Sequence, residues 1–287
     1  MLKRIITSIV AAIIFIPILV FSDTWAFPIA MAFACAVGCG EMIACVGQKK
    51  NIALFIPICL IAAAFPIVMR FAYLSRYVNP EYNALFEVIK LALAVFMLLA
   101  LYVFSLAVFN NKKLPVTDAC LLYSAVVYIV AAFSFIVYIH DYVPYGEYIY
   151  FLVFLCAWMT DIFAYFSGRL FGKHKLIPTV SPKKTVEGSI GGVLFCVLAT
   201  VLYGVILEQF FIGTGKANYV VLAVSAVFIS IVSQMGDLIM SVIKRHYGIK
   251  DYGKLFPGHG GILDRFDSVM AVSVILAVIC TYFNLVS

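Results

Sequence analysis

The feature that most constrains this chain is the recurrence of apolar runs long enough to cross a lipid bilayer. A helix rises about 1.5 Å per residue, so about 20 apolar residues span a hydrocarbon core roughly 30 Å thick. Nine windows fit this description, although the first is short and the second contains Glu41 and several glycines. They cover residues 5–21, 25–46, 51–69, 84–109, 116–139, 147–171, 188–211, 219–243 and 266–286. The sequence therefore predicts an all-α polytopic membrane protein with about nine transmembrane helices.

The amino-acid composition supports the same class. Hydrophobic residues make up 65% of the 287 residues and charged residues only 12%, whereas soluble domains contain about 45–50% apolar and about 25% charged residues. A soluble fold of this length could not bury so much apolar surface, so lipid must solvate much of it. The formal net charge is +6. No basic stripe accompanies a separate soluble module, however, so a nucleic-acid partner is not expected.

The basic residues predict the orientation in the membrane, because Lys and Arg collect in cytoplasmic loops. If the N-terminus is cytoplasmic, sixteen of the twenty Lys and Arg residues fall in cytoplasmic segments. The sequence therefore predicts a cytoplasmic N-terminus, a C-terminus outside, and long cytoplasmic loops at 172–187 and 244–265. We expect an integral, multi-pass protein of the plasma or inner membrane with its active site on the cytoplasmic side.

The chain shows no internal repeat, low-complexity tract or soluble module. It is therefore predicted to form one membrane domain over residues 1–287. Within it, residues 1–146 are poor in motifs, and residues 147–287 carry the catalytic spans and their cytoplasmic loops.

Charged side chains within spans are costly, so each is a candidate for function. Glu87 and Lys90 are three residues apart and could pair on one helix face. For Glu41, a hydrogen-bonded structural role and a functional role remain equally open. Asp161 differs, because it shares one helix stripe with Gly168 and Gly172, directed toward a basic loop. Packing explains the glycines of that stripe but not the aspartate.

The run from Ser181 to Gly192 places Lys183 and Lys184 before a hydroxyl, Thr185, and a glycine-rich helix start. Backbone N–H groups at a helix N-terminus, with lysines nearby, suit a phosphate group. The order of residues is not that of a Walker loop. Taken alone, the run is more typical of a juxtamembrane anchor with a capped helix than of a phosphate site.

The segment from Ser233 to Ser268 is the richest in chemistry. Asp237, Ser241 and Lys244 lie on one helix face, and Asp264 and Asp267 are three residues apart, so their carboxylates can converge. A flexible turn, Pro257 to Gly261, is expected between the two helices. Carboxylates suit Mg²⁺, which takes one or two protein carboxylates together with substrate phosphates. With the neighbouring cations they indicate metal-assisted phosphoryl or nucleotidyl transfer.

This segment resembles the signature of the phosphatidate cytidylyltransferases, the CDP-diacylglycerol synthases. The signature is a Ser, then Lys-Arg, Lys-Asp, a Pro-Gly-His-Gly-Gly turn and Asp-Arg-Phe-Asp. It is met by Ser241, Lys244-Arg245, Lys250-Asp251, Pro257 to Gly261 and Asp264 to Asp267, all within 27 positions. The runs that begin at Asp161 and Ser181 also resemble upstream motifs of the family. One departure is Ile162, where the family usually has Thr or Ser.

The resemblance implies that the chain converts CTP and phosphatidic acid into CDP-diacylglycerol and pyrophosphate, for phospholipid synthesis. It also implies an all-helical membrane fold, a homodimer and dependence on Mg²⁺, with a second metal ion left open. The expected metal ligands are Asp237, Asp264 and Asp267. Catalytic roles are expected for these three and for Lys244, Arg245 and His259. Contacts with substrate are expected for Asp161, Arg169, Lys183, Lys184, Thr185, Ser241, Gly260, Gly261 and Arg265.

Three other functions share some of these features. A CDP-alcohol phosphotransferase also handles CDP-lipids, but its diagnostic run of aspartates is absent from the sequence. A CTP-dependent lipid kinase would release CDP rather than pyrophosphate. A transporter would more often show two related halves with broken spans, and no such symmetry is present.

Overall fold

The computed structural model describes residues 2–79 and 83–286, with side chains described from residue 10 onward. Ten α-helices dominate this part of the chain. They are α1 Leu2–Val20, α2 Ala26–Cys45, α3 Ile52–Val78, α4 Ala84–Phe109, α5 Val116–Tyr142, α6 Gly146–Ile149, α7 Phe151–Phe171, α8 Val186–Leu207, α9 Tyr219–His246 and α10 Leu263–Tyr282. A short π-helix, Glu208–Ile212, continues α8.

The helices confirm the predicted α-helical membrane class. Within the described residues, seven segments are long and apolar enough to cross a membrane: α2, α3, α4, α5, α8 with its π-helix, α9, and the pair α6 and α7 taken together. The first and last predicted spans form α1 and α10, which are not among the seven. The count of nine and the orientation therefore stay predictions. The side chains of Lys3 and Arg4 lie outside the part described.

Helix starts follow local chemistry. The side chains of Asn83 and Asn218 cap α4 and α9, each by accepting a hydrogen bond from a backbone N–H three residues on. Such caps satisfy N–H groups that have no partner inside the helix. Inside α3, Pro57 and Pro66 are tolerated, as prolines often are in membrane helices.

The loop predicted at 172–187 contains a departure from the all-α expectation. Strands β1, Lys175–Ile177, and β2, Ser181–Thr185, form a two-stranded antiparallel hairpin. The carboxylate of Glu187 accepts hydrogen bonds from the backbone N–H of His174, at 3.2 Å to each oxygen, and lies 2.6 Å from His174 Nδ1. This side-chain bridge closes the base of the hairpin, and apolar periodicity gives no sign of it.

The chain forms two compact units. The first comprises Met1–Tyr138 with Asp251–Asp264, and the second comprises Ile139–Lys250 with Arg265–Ser287. In the first unit, α2 packs against α3, and the Phe65 and Phe96 rings of α3 and α4 stack with centroids 5.2 Å apart. In the second unit, α7 and α8 make the most extensive helix contact, and α9 packs on both.

Glycines bring α7 and α8 close together. A Cβ at Gly188 would lie 2.6 Å from the Ala164 carbonyl oxygen, and one at Gly192 would lie 2.9 Å from that of Thr160. Likewise, a Cβ at Gly168 would lie 2.8 Å from the Thr185 hydroxyl oxygen. Small residues at these positions therefore serve helix packing, as is common inside membranes. The close approach sets Thr160, the neighbour of Asp161 on α7, against Gly192 of α8.

Candidate active site

Three aspartates from three different helices gather in the second unit. Asp161 comes from α7, Asp237 from α9 and Asp267 from α10. Each of the three lies within electrostatic range of the other two. All three side chains keep some solvent exposure, so a ligand can reach them. Like charges within electrostatic range of one another favour a cation near them.

Ser268 joins two of these carboxylates. Its hydroxyl donates to Asp161 Oδ2 at 3.0 Å, and its backbone N–H donates to Asp267 Oδ1 at 2.9 Å. Ser268 itself is 2% exposed, so these bonds lie away from water. No role for Ser268 is predicted from the sequence. The only signal for one was its position directly after the Asp-Arg-Phe-Asp motif.

Asp237 has a cation and a hydroxyl as partners. Lys184 Nζ lies 2.7 Å from Asp237 Oδ2, and the Ser241 hydroxyl donates to Asp237 Oδ1 at 3.3 Å. Lys184 also donates to the Gln234 carbonyl at 3.4 Å, one turn earlier on α9. Lys184 therefore connects β2 to the polar face of α9. Asp237 and Ser241 share the helix face on which the sequence placed them.

Gly236 sets the distance between α9 and α10. A Cβ at this position would lie 2.5 Å from Ala271 Cβ and 2.8 Å from the Asp267 carbonyl oxygen. Because backbone cannot move aside as a flexible side chain can, only glycine fits. The contact brings Asp237, the next residue along α9, next to Asp267 of α10.

Three cations offset the negative charge of the three aspartates. Lys184 and Arg265 lie within electrostatic range of Asp161, and Lys244 lies within range of Asp267. Lys244 stands in the last turn of α9, where cations also interact favourably with the helix dipole. The structure thus brings together seven residues predicted from the sequence: Asp161, Lys184, Asp237, Ser241, Lys244, Arg265 and Asp267.

Other selected residues of the second unit lie at its surface or serve local structure. Arg169, Lys183 and Arg245 are exposed, and the Arg245 guanidinium donates to the Ile249 carbonyl at 3.5 Å. The Thr185 hydroxyl accepts from the Gly188 N–H at 3.2 Å and caps α8. The capped-helix interpretation of the Ser181 run therefore holds for Thr185. Its predicted contact with substrate stays a prediction.

The Pro-Gly-His-Gly-Gly turn belongs to the first unit and is more ordered than expected. The Phe256 N–H donates to the Gly260 carbonyl at 2.9 Å, and the His259 N–H donates to the Phe256 carbonyl at 2.8 Å. Gly258 and Gly260 have φ values of +81° and +89°, a region that favours glycine. The turn was expected to be flexible, but these bonds close it on itself.

Asp264 fastens the loop to the start of α10. Its Oδ2 accepts the Tyr252 N–H at 2.7 Å and the Gly261 N–H at 2.9 Å. A side chain at Gly260 would meet this carboxylate, because a Cβ there would lie 2.6 Å from Asp264 Oδ2. The predicted metal ligand therefore has a second task, which is to hold the loop closed.

Glu41 lies in the first unit, and the sequence left open whether its role is structural or functional. Its carboxylate accepts the Ile262 N–H at 3.0 Å and the Leu263 N–H at 2.9 Å. It is 9% exposed. Both donors are among the N–H groups that α10 leaves without a partner at its N-terminus. Glu41 therefore joins α2 to the glycine-rich turn.

The donor chemistry of the second unit fits Mg²⁺. In the described part of the chain, no three His, Cys, Asp or Glu side chains are grouped closely enough to hold an ion by themselves. Mg²⁺ does not need such a cage, because it commonly takes one or two carboxylates and completes its shell with water and substrate phosphates. Asp161, Asp237 and Asp267 supply oxygen donors, and the adjacent cations suit the phosphates.

Comparison with known proteins places similar sequences in one functional group. The model of the cytidylyltransferase family matches residues 2–283. The phosphatidate cytidylyltransferase of Bacillus subtilis (strain 168) is 31% identical over 287 residues, which cover 99% of each chain. The enzymes of that name from Staphylococcus aureus (strain COL) and Staphylococcus epidermidis (strain ATCC 12228) are 33% and 34% identical, over 96% of this chain and 97% of each relative.

Proposed function

This chain belongs to the cytidylyltransferase family, and from that membership we infer that it transfers the cytidylyl group of CTP to phosphatidic acid. The products are CDP-diacylglycerol and pyrophosphate. The observation in the structure that best supports this reaction is the meeting of Asp161, Asp237 and Asp267 with Lys184, Lys244 and Arg265 in a helical membrane unit. Such a cluster can bind a polyphosphate and a divalent cation together.

The reaction needs no nucleophilic side chain. A phosphate oxygen of phosphatidic acid attacks the α-phosphorus of CTP, and the new P–O bond forms opposite the bond to the β-phosphate. That bond breaks, and its electron pair leaves with pyrophosphate. Because the attacking oxygen is already anionic, the protein contributes mainly positioning and charge stabilisation. A cluster of fixed cations and carboxylates is suited to both tasks.

The three cations are proposed to bind the triphosphate. Lys184 is paired with Asp237 at 2.7 Å, and a phosphate oxygen would compete with the carboxylate for it. Lys244 and Arg265 would neutralise charge that develops on pyrophosphate. The exposed residues Lys183 and Arg245 are proposed to draw the nucleotide toward the cluster, since the field of surface cations acts beyond direct contact.

The aspartates are proposed to hold Mg²⁺, with Asp237 and Asp267 as ligands and with Asp161 linked to Asp267 through Ser268. When bound, Mg²⁺ would supply positive charge to the phosphate oxygens and make the α-phosphorus more electrophilic. Asp264 is retained as a proposed ligand on the strength of the signature. The hydrogen bonds that its Oδ2 accepts also give it a role in shaping the turn.

The orientation in the membrane and the oligomeric state complete the proposal. The basic loops are proposed to face the cytoplasm, where CTP is found, because they hold most of the chain's Lys and Arg residues. The protein is proposed to act as a homodimer, as the family resemblance implies. Chemical cross-linking in native membranes tests the dimer, and a monomer as the sole species would contradict it.

The decisive experiment incubates detergent-solubilised protein with phosphatidic acid, Mg²⁺ and each nucleoside triphosphate in turn. We expect CTP to be consumed, with one pyrophosphate released for each CDP-diacylglycerol formed. Release of CDP with a phosphorylated lipid would instead identify the CTP-dependent lipid kinase. Asp237→Asn should abolish turnover, whereas Glu87→Gln should not, because Glu87 pairs with Lys90 on the exposed face of α4. Near wild-type turnover by Asp237→Asn would overturn the metal assignment.

A further inference from the structure

Glu41 is built into the turn that carries the signature, although it lies more than 200 residues earlier in the chain. Its two carboxylate oxygens each accept one backbone N–H, from Ile262 at 3.0 Å and from Leu263 at 2.9 Å. Hydrogen bonds to a charged acceptor are stronger than neutral ones. A negative charge at this end of α10 also interacts favourably with the helix dipole. Glu41 therefore fixes where α10 begins.

Two glycines make room for the Glu41 carboxylate. A Cβ at Gly253 or at Gly261 would overlap Glu41 Oε1, and at Gly261 the three nearest atoms all belong to the Glu41 carboxyl group. The φ angle of Gly261 is not in the left-handed region. Glycine at 261 is thus required by the approach of Glu41 and not by backbone conformation. The loop that contains Gly253 and Gly261 therefore has room for the Glu41 carboxylate only because both residues lack a side chain.

Glu41 and Asp264 together hold four N–H groups of one short loop. Asp264 Oδ2 binds those of Tyr252 and Gly261, and Glu41 binds the next two, of Ile262 and Leu263. The two carboxylates lie within electrostatic range of each other. A fixed Glu41 therefore constrains Ile262 and Leu263, the two residues enclosed by the hydrogen bond from the Gly261 N–H to Asp264 Oδ2. It thereby constrains the orientation of the Asp264 side chain.

We propose that Glu41 is a positioning residue for cytidylyl transfer, which sets the geometry of the Pro257–Gly261 turn and of Asp264 through two backbone hydrogen bonds. This role rests on the proposed function. It predicts that kcat and KM respond differently to a substitution at Glu41. Substrate-binding cations are untouched, so KM for CTP stays within about twofold in a Glu41→Gln variant, while kcat falls by about 10- to 100-fold. That range corresponds to losing one charge-assisted hydrogen bond and leaving its donor without an acceptor.

The kinetic test compares Glu41→Gln with Glu87→Gln, a matched change in another helix of the same unit. Glu87 is 2.6 Å from Lys90 and its side chain is 42% exposed, so its variant should keep wild-type kcat. Hydrogen exchange of the segment 253–263 gives a readout independent of turnover. The amides of Ile262 and Leu263 should exchange about tenfold faster in Glu41→Gln and unchanged in Glu87→Gln.

A double-mutant cycle tests the direct contact. Gly261→Ala alone should lower kcat/KM sharply, because its methyl group overlaps the Glu41 carboxylate. In a Glu41→Ala background the same change should cost little, because that space is vacated. Additive effects in this cycle would overturn the proposal, as would a Glu41→Gln protein with wild-type kcat and exchange. A wild-type protein that forms no CDP-diacylglycerol would instead remove the proposed function, and this role with it.

Discussion

At the scale of single residues, Ser268 is the side chain on which the alignment of the acidic cluster depends most directly. Ser268→Ala removes the bond to Asp161 Oδ2 and keeps the backbone bond to Asp267 Oδ1. Losing a hydrogen bond to a charged group costs about 1.5–3 kcal/mol, so we expect kcat/KM to fall by about 10- to 100-fold. Ser273→Ala, also buried in α10 and bonded within its own helix, should stay within about twofold. Equal activity of the two variants would contradict the role of Ser268.

The ion pair of Lys184 and Asp237 makes a prediction about stability as well as activity. Lys184→Met and Asp237→Asn should each abolish turnover, because each removes a group from the proposed phosphate and metal site. The pair is partly exposed, at 23% and 28%, so its coupling energy in unfolding should be modest, about 0.5–1 kcal/mol. Thermal unfolding of the two single variants and the double variant measures that coupling. Strictly additive changes would mean that the pair contributes nothing to stability.

Much of the site was predictable residue by residue, but its supporting contacts were not. Helical spacing placed Asp237 and Ser241 on one face, and the structure adds their 3.3 Å hydrogen bond. In contrast, Ser268 contacts a residue 107 positions away and Glu41 contacts Leu263 across 222 positions. Such pairs depend on how helices pack, which periodicity does not encode. The cost of a charge inside a span still identified Glu41 as a residue that needed partners.

At the scale of elements, the contact between α9 and α10 through Gly236 makes the sharpest prediction. Alanine normally stabilises a helix by about 1 kcal/mol relative to glycine. At Gly236, however, the methyl group would lie 2.8 Å from the Asp267 carbonyl oxygen, which is backbone. Gly236→Ala should therefore separate the two helices and lower kcat by more than about tenfold, because small displacements of catalytic groups are costly. Gly204→Ala is the control. A Cβ at Gly204 would lie 2.8 Å from Leu222 Cδ1, which is the end of a flexible side chain and not backbone.

Helix positions followed closely from the apolar pattern, and the differences have physical causes. The predicted windows 84–109 and 219–243 became Ala84–Phe109 and Tyr219–His246. The window 51–69 stopped at the first charge, whereas α3 continues to Val78. The helix can include Arg70 because its guanidinium donates to the Ser22 and Asp23 carbonyls. A charge with protein partners need not end a span, and a hydropathy window cannot see those partners.

At the scale of the whole molecule, composition alone was enough to identify a membrane protein, because no soluble fold could bury 65% hydrophobic residues. Seven described helices are long and apolar enough to span a bilayer. Whether α1 and α10 also cross the bilayer decides between different topologies.

Reporter fusions test the predicted topology directly. The positive-inside pattern puts the loops after α4 and α7 in the cytoplasm and the turn at Gly213–Gly215 outside. Alkaline phosphatase joined after Lys113 or Lys175 should therefore be inactive in a bacterial host, and active when joined after Gly215. Green fluorescent protein at the same three positions should give the opposite pattern, which controls for expression. Phosphatase activity after Lys175 would put the hairpin and its lysines on the side without CTP, and would contradict the cytoplasmic active site.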